Sequence, residues 1–415
     1  MSGTVRKAFA ALLLVTFGMF GFVACSSQTG GDQQQTNQKE QQTDGEMKGK
    51  QSIVQDVTLG VQHFADFSSM WSLSHHESLQ RLVDRFEWLD MESAESVPPE
   101  NINGMARDMI DNQNVDIMIQ DTEFIGIPVE DIYQDYPDVH FASVFVSEPY
   151  RNGRNWIRPN VKSYQARYLS GLIMGELTET DRIGLLVSFD SADPRARVNA
   201  ITLGIREVNP DAEVFIGEFI GGWYDPPTEK EISNMLIEDF GVDVLHNPAS
   251  DSLAPVETAS EHGIWFVGKD ADLVGKDFAD KETVAISYKN NWESMYYELI
   301  MNYVAGMDNP PRLIYPGYTQ PYIKQDGSPL YPNDIVNDGE WGADAISPSA
   351  KEEMDQEVID LVKQRRQQMI QGAYDPFLKK LVNTKTGEVE KPAGVMPDSE
   401  DILTMEYWVE GVQLP

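Results

Sequence analysis

The chain has 415 residues, with 67 Asp and Glu against 32 Lys and Arg, a formal net charge of -35 and an isoelectric point near 4.4. Phosphate contacts need clustered cations, so this balance excludes a nucleic-acid backbone as partner and disfavours adsorption to anionic lipid. A single cysteine excludes any internal disulfide, and six histidines without ligand spacing give no basis for a metal centre; no cofactor is expected.

The first segment reads as a leader. Arg6 and Lys7 precede an apolar stretch, Ala8 to Val23, too short and too close to the terminus for an ordinary spanning helix. Phe22-Val23-Ala24-Cys25 resembles the lipobox of bacterial lipoproteins, so residues 1–24 are expected to be a signal peptide and the Cys25 thiol to be acylated. A plain secretory leader with a chance cysteine is the simpler alternative. Residues 25–50 are mostly Gln, Gly, Ser, Thr and Asp, with almost nothing to bury, and read as a flexible tether. The ~365 residues beyond it suggest two domains. No later apolar run is long enough to cross a bilayer.

From Ile53 onward, strand-like runs alternate with amphipathic helices. The runs are 57–61, 115–119, 139–144, 182–187, 242–245 and 263–267, each short and rich in β-branched or aromatic residues. Helical spacing appears over 163–177, where Tyr164, Arg167, Tyr168, Gly171 and Leu172 recur, and again over 196–208 and 227–240. Such alternation predicts parallel sheets with helices on both faces, and enough units recur for two of them. Ligands of open α/β sheets bind beyond the carboxyl ends of the strands, which in a two-lobed protein face a shared cleft. After Asn309-Pro310-Pro311 the pattern changes. Residues 348–369 read as one charged helix, 375–387 as turns around a hairpin, and 398–410 as a last helical segment, together an extension packed on a lobe.

Catalytic signatures fail. His76-Glu77-Ser78-Leu79-Gln80 lacks the second histidine of a zincin helix, and the adjacent His75 and His76 point to different helix faces. Gly275-Lys276 lacks the rest of a P-loop, and no nucleophile elbow occurs. Aromatic and acidic residues do stand at strand-to-helix junctions: Trp71 (opening the helix that contains His75), Phe124, Phe189 with Asp190, Trp223 with Tyr224 and Asp225, Asp251 and Asp270. Any one ring could be core and any one Asp a helix cap. Six junctions feeding one cleft favour a site for a flat ring held between aromatic faces, its N–H and O–H groups accepted by carboxylates.

The sequence resembles the basic-membrane-protein substrate-binding lipoproteins of ABC transporters. The resemblance runs from about Val57 to the end and is carried by Tyr164-Gln165-Ala166-Arg167-Tyr168-Leu169-Ser170-Gly171, Leu203-Gly204-Ile205-Arg206-Glu207-Val208-Asn209-Pro210, Trp223-Tyr224-Asp225-Pro226, Gly268-Lys269-Asp270-Ala271-Asp272 and Tyr407-Trp408-Val409-Glu410-Gly411-Val412. It implies an α/β, periplasmic-binding-protein-like fold of type I, two doubly wound parallel-sheet lobes joined by a hinge. The lobes are expected at 51–160 plus about 268–305 and at 161–267, with 306–415 as the extension.

Residue by residue, the resemblance places Trp71 as the ring that stacks on a purine base and Asp270 as the acceptor of ribose hydroxyls. Phe189 and Trp223 match cleft positions, and Asn199, Asp251 and Trp292 match less closely. Ser68-Ser69-Met70 departs from the family's Asp-x-Gly, and Glu123 and Gln165 also differ from the family pattern. The implied function is an extracytoplasmic solute-binding protein that takes a purine nucleoside or base to ABC permease subunits. It would be a non-enzymatic monomer, held at the cell membrane through its lipid anchor and facing the periplasm or the exterior. A ligand-presenting sensor and a nucleoside hydrolase are the alternatives.

Overall fold

Short runs of Val, Ile and Leu with no polar interruption are what a parallel strand needs, because helices cover both of its faces. The computed structural model describes residues 55–129, 132–145, 154–307 and 310–415. The leader, Cys25 and the tether therefore lie outside the described residues. Among the described residues, no helix is long and apolar enough to cross a membrane.

The first lobe runs β1 (Val57–Gln62), α1 (Met70–Arg85), β2 (Leu89–Ala94), α2 (Ile102–Gln113), β3 (Ile117–Gln120), α3 (Glu123–Val129), β4 (His140–Ser143) and β5 (Trp156–Pro159). The second continues with α4 (Tyr164–Leu177), β6 (Arg182–Val187), α5 (Ala192–Val208), β7 (Glu213–Phe215), α6 (Pro226–Glu238), β8 (Val244–Ala249), α7 (Ala254–His262), β9 (Trp265–Lys269) and β10 (Val284–Asn290). Then come α8 (Glu293–Val304), β11 (Leu313–Ile314), β12 (Tyr322–Ile323), β13 (Pro329–Leu330), β14 (Asn333–Asn337), β15 (Glu340–Trp341), α9 (Pro348–Glu353), α10 (Gln356–Ile370), β16 (Leu381–Val382), β17 (Val389–Lys391), α11 (Ser399–Leu403) and β18 (Val412–Gln413).

Two open sheets result. The first has strand order β11-β5-β4-β3-β1-β2 and the second β15-β14-β10-β9-β8-β6-β7-β18. Consecutive strands of each lobe pair in parallel, which places all their carboxyl ends at one edge. This is the two-lobed α/β architecture expected from the sequence. The chain passes between the sheets three times, at 160–163, 291–292 and between 314 and 333. Three strands make a jointed connection that permits one lobe to rotate against the other.

Lobe boundaries differ from the expectation in two places, at 268–290 and in the C-terminal part. Residues 268–305 were expected in the first lobe. Instead Ile286, Ser287 and Tyr288 continue the second sheet in parallel register with Val267, Gly268 and Lys269. Only beyond Asn290 does the chain cross back, so that α8 alone packs on the first sheet, where Trp292, Met295, Tyr296 and Leu299 join the core of β1 and β3. The C-terminal segment serves both lobes: β11 extends the first sheet, whereas β14, β15 and β18 extend the second.

The single charged helix expected over 348–369 is two. Met354 is extended (φ -94°, ψ 141°) and buried, and Asp355 restarts the helix from an extended N-cap. The last helix covers only 399–403, opened by a capping box between Asp398 and Asp401; 405–408 carry no regular structure, and 410–411 turn into β18. Sheet and cover are held tightly at the crossing of α4 and α5. A Cβ on Gly171 would sit 2.2 Å from the Ile201 carbonyl oxygen, and one on Gly204 2.2 Å from that of Tyr168, so the backbones touch where only glycine fits.

Candidate functional site

The cleft between the lobes is built from strand ends. On the first lobe, the turn after β1 supplies Phe64, the N-terminus of α1 supplies Trp71, the turn after β3 supplies Thr122, Glu123 and Phe124, and Phe145 follows β4. On the second lobe, α5 presents Asp193 and Arg197, the loop before α6 presents Trp223, the end of β8 presents Ser250 and Asp251, and β9 ends on Lys269. These side chains surround about 560 Å³ of space, counting the open solvent at its mouth. Five rings line it, and its polar wall alternates acid and base.

Trp71 is the best-supported ring. Its Nε1 donates to the Asp121 carbonyl at 2.7 Å, and its indole meets Phe145 and Trp292 edge to face, with centroids 5.2 Å away in each case. Ser69 caps α1 by accepting from the Ser72 amide and so sets where Trp71 starts. The Asp121 carboxylate fixes the same corner, receiving the Ser72 hydroxyl at 2.8 Å and the Phe64 amide at 3.1 Å, with His63 Nδ1 2.9 Å away.

Across the cleft, Lys269 lies 3.2 Å from Asp251 Oδ1 and 2.6 Å from Asp270 Oδ2. Burial alone would depress the Lys269 ammonium, but Asp270 and Asp251 outweigh it and hold its pKa above the ordinary range. Burial pushes Asp251 up, against the pull of Lys269. Asp270 is also buried, yet Lys269 and Arg167 keep its carboxyl below the usual range. Arg197 pairs with Asp193 one turn earlier at 2.6 Å, and its guanidinium lies 5.1 Å from the Phe145 ring centre.

Of the residues singled out in the sequence, Trp71, Phe124, Trp223 and Asp251 line this cleft. Phe124 is 58% exposed and stands free at the rim. Phe189 backs Trp223 edge to face, at 5.4 Å between centroids. His75 and Trp292 form a layer behind Trp71, stacked at 4.0 Å with 15° between planes. His75 Nδ1 lies 2.7 Å from the Tyr296 hydroxyl, and burial together with His63 holds its pKa well below the ordinary value, so the ring stays neutral.

His75, Phe189 and Trp292, expected at the ligand, thus stand behind the lining, and two more placements differ from the expectation. Asp270 does not face the cleft; its backbone turns left-handed (φ 59°), and its side chain lies behind Lys269, receiving Asn290 Nδ2 at 2.9 Å. Asn199 is spent on the C-terminal segment, donating to the Tyr407 carbonyl at 2.8 Å and accepting from the Val409 amide at 2.9 Å. Sequence reasoning missed Phe64, Phe145, Arg197 and Lys269. Arg197 lies one turn from Asp193 on a helix and reads as a surface ion pair, which hid it.

Residues 58–311 match the family described as ABC transporter substrate-binding protein, PnrA-like. The chain belongs to this family. Its curated relatives include a putative ABC transporter glucose-binding protein of Haloferax volcanii, 31% identical over 56% of this chain and 57% of that one. A purine-binding protein of Brucella abortus is 24% identical over 69% of this chain and 72% of that one. The chain thus spans little more than half the length of the Haloferax relative. Among solved structures, an ABC transporter solute-binding protein from Conexibacter woesei superposes with a TM-score of 0.56 at 16% identity, over 77% of this chain and 98% of that one. The crystal structure of a transcriptional activator of the comK gene from Bacillus halodurans superposes at 0.59 and 19% identity, over 77% and 99%. These likenesses show the fold: two α/β lobes of the type I periplasmic-binding class.

Proposed function

We propose that the chain binds a purine nucleoside or purine base between its lobes outside the cytoplasm and presents the closed form to an ABC permease. The observation that carries the ligand class is the set of five rings, Phe64, Trp71, Phe124, Phe145 and Trp223, around one cleft. A planar heterocycle offers two broad π-faces to such walls. Asp251 would accept N–H or O–H groups, and Lys269 and Arg197 would donate to carbonyl, ring-nitrogen or hydroxyl acceptors. The name of the Brucella relative supports the same class.

The Haloferax relative's name points to glucose as the second reading. A sugar also stacks on aromatic rings and takes charged partners at its hydroxyls. Calorimetry with adenosine, guanosine, their free bases and glucose separates the two. Binding of a purine compound with no response to glucose supports the proposal; binding of glucose alone overturns it.

No reaction is assigned to the site, where Arg197 is paired with Asp193 and Lys269 with Asp251. Incubation with nucleosides should release no free base, and release would favour a hydrolase. Carrying the ligand to a permease and presenting it to a signalling receptor differ only in the partner that docks. Membrane attachment is proposed to run through Cys25. Acylation there would add about 0.8 kcal/mol per buried CH2. Cys25→Ser should shift the protein from the membrane to the soluble fraction, and equal retention would remove the anchor.

A further inference from the structure

We propose that the second lobe contains an internal binding site for a small monovalent anion of chloride size, built around Arg167 directly behind Lys269. Arg167 lies in the first turn of α4 and is fully buried. Among the described residues, none of its three guanidinium nitrogens has a hydrogen-bonding partner. Its Cζ sits 4.4 Å from the centre of the Tyr288 ring, a cation–π contact that uses none of its N–H groups.

Among the described residues, the surroundings supply further unmet donors, together with two unmet acceptors, Asn290 Oδ1 and His246 Nε2. Registers place His246, Lys269, Tyr288, Asn290 and Asn333 on one face of the second sheet: Tyr288 stands beside Lys269, Asn290 beside Asn333, and His246 beside Val267. This is the face that α4 covers. Asn333 Oδ1 accepts from the Ala166 amide at 2.8 Å, which brings that side chain to the residue preceding Arg167. Among the described residues its Nδ2 has no acceptor, and neither has the Tyr288 hydroxyl, also fully buried. A guanidinium, a phenol and an amide, all with unspent N–H or O–H groups, occupy one layer beneath a helix N-terminus.

Nearby carboxylates do not answer them. Asp193 is taken by Arg197 at 2.6 Å, Asp270 by Lys269 at 2.6 Å and Asn290 at 2.9 Å, and Asp251 by Lys269 and Ser69. Asp270 and Asp193 act on the Arg167 charge from a distance, but neither accepts from its N–H groups, and buried donors left unmet carry a desolvation cost. The donors need an acceptor from outside the chain. Because Arg167 and Tyr288 are wholly buried and do not line the ligand cleft, that acceptor is too small to be the transported solute. A halide accepts from several donors without directional demand and carries a single charge of the sign that Arg167 attracts. The -35 charge of the whole chain opposes anion entry at low ionic strength, so occupancy should rise with chloride concentration.

The test uses the full chain. Crystals grown in sodium bromide should show an anomalous peak in contact with the Arg167 guanidinium. Melting temperature should rise in a saturable way, by a few degrees, in sodium chloride over sodium gluconate at equal ionic strength. Arg167→Met should abolish that chloride-specific increment while keeping the general response to salt. Ordered water with no bromide in the layer overturns the proposal, as do identical chloride increments in wild type and variant. If Arg167→Met does not fold, the bromide experiment on the wild type decides alone.

Discussion

Glu77, six residues beyond Trp71 on α1, meets Lys276 of the second lobe at 2.6 Å. Lys289 stands 3.9 Å from the same carboxylate, and burial of Glu77 is outweighed by these lysines, which hold its pKa below the usual range. Ser69 at the head of the same helix donates to Asp251 across the cleft, and Met70 is buried in the core of the second lobe. Helix α1 is therefore the part of the first lobe that grips the second.

This grip should contribute to ligand affinity, because closure of the lobes and ligand binding are one equilibrium. The Glu77–Lys276 pair is about one-third exposed. A pair of this kind contributes about 0.2–1 kcal/mol, so Glu77→Gln should weaken binding by roughly 1.4- to 5-fold. Molar salt should erase the difference between variant and wild type. Calorimetry at two salt concentrations checks it; a larger loss at high salt would contradict the screening argument.

Trp71 and Asp251 divide the work in the cleft. Trp71→Ala should cost about 1–3 kcal/mol in binding, equally for a base and its nucleoside, because both present the same π-face. Asp251→Asn removes a charge that Lys269 and Ser69 share, so it should harm binding and also loosen the closed form. Asp270→Ala should act differently from either. It leaves Lys269 with one carboxylate in a buried site and should lower stability before it lowers affinity. Thermal melts run beside the calorimetry distinguish these outcomes, and an Asp270 variant of wild-type stability would contradict the assignment.

The alternation of strands and helices was legible because buried parallel strands must be continuously apolar, as in Ile117-Met118-Ile119 and Leu185-Leu186-Val187. The membership of β10 was not, since the choice between pairing with β9 and crossing to the first lobe depends on tertiary register alone. Junction aromatics pointed to the cleft because strand ends converge there. Arg197 and Lys269 stayed hidden because a buried charge looks like a surface charge until its partners are seen. Asp270 was misread for the opposite reason: its position at a strand end is right, but a left-handed backbone turns it inward.

Packing of α4 on α5 gives a stability prediction with a clear mechanism. A methyl on Gly204 must displace the Tyr168 carbonyl and the Gly171 backbone, 2.2 and 3.0 Å away. Neither is the end of a flexible side chain. Overpacking of this kind costs about 1–3 kcal/mol, so Gly204→Ala should lower the midpoint of denaturation. Gly104, on an open helix face with nothing near its Cβ, is the control, and Gly104→Ala should be neutral or stabilising by up to about 1 kcal/mol. Equal effects at the two sites would remove the close-approach argument.

Acid sensitivity should come from buried neutral histidines. His246 is wholly buried against the Val267 carbonyl, 2.7 Å from its Nδ1, and burial holds its pKa down to about 3. His75 is depressed in the same direction by burial and by His63. In the unfolded chain both titrate near 6.5. Below that pH the unfolded state takes up protons that the native state does not, so stability is lost as pH falls. Each such histidine costs up to about 1.4 kcal/mol per pH unit below 6.5. The denaturation midpoint should therefore hold from pH 8 to 7 and fall steadily from 6.5 to 5. His246→Gln removes one titrating group, so its curve should be shallower over that interval even where its stability at pH 8 is lower. An unchanged slope in the variant would place the acid sensitivity elsewhere.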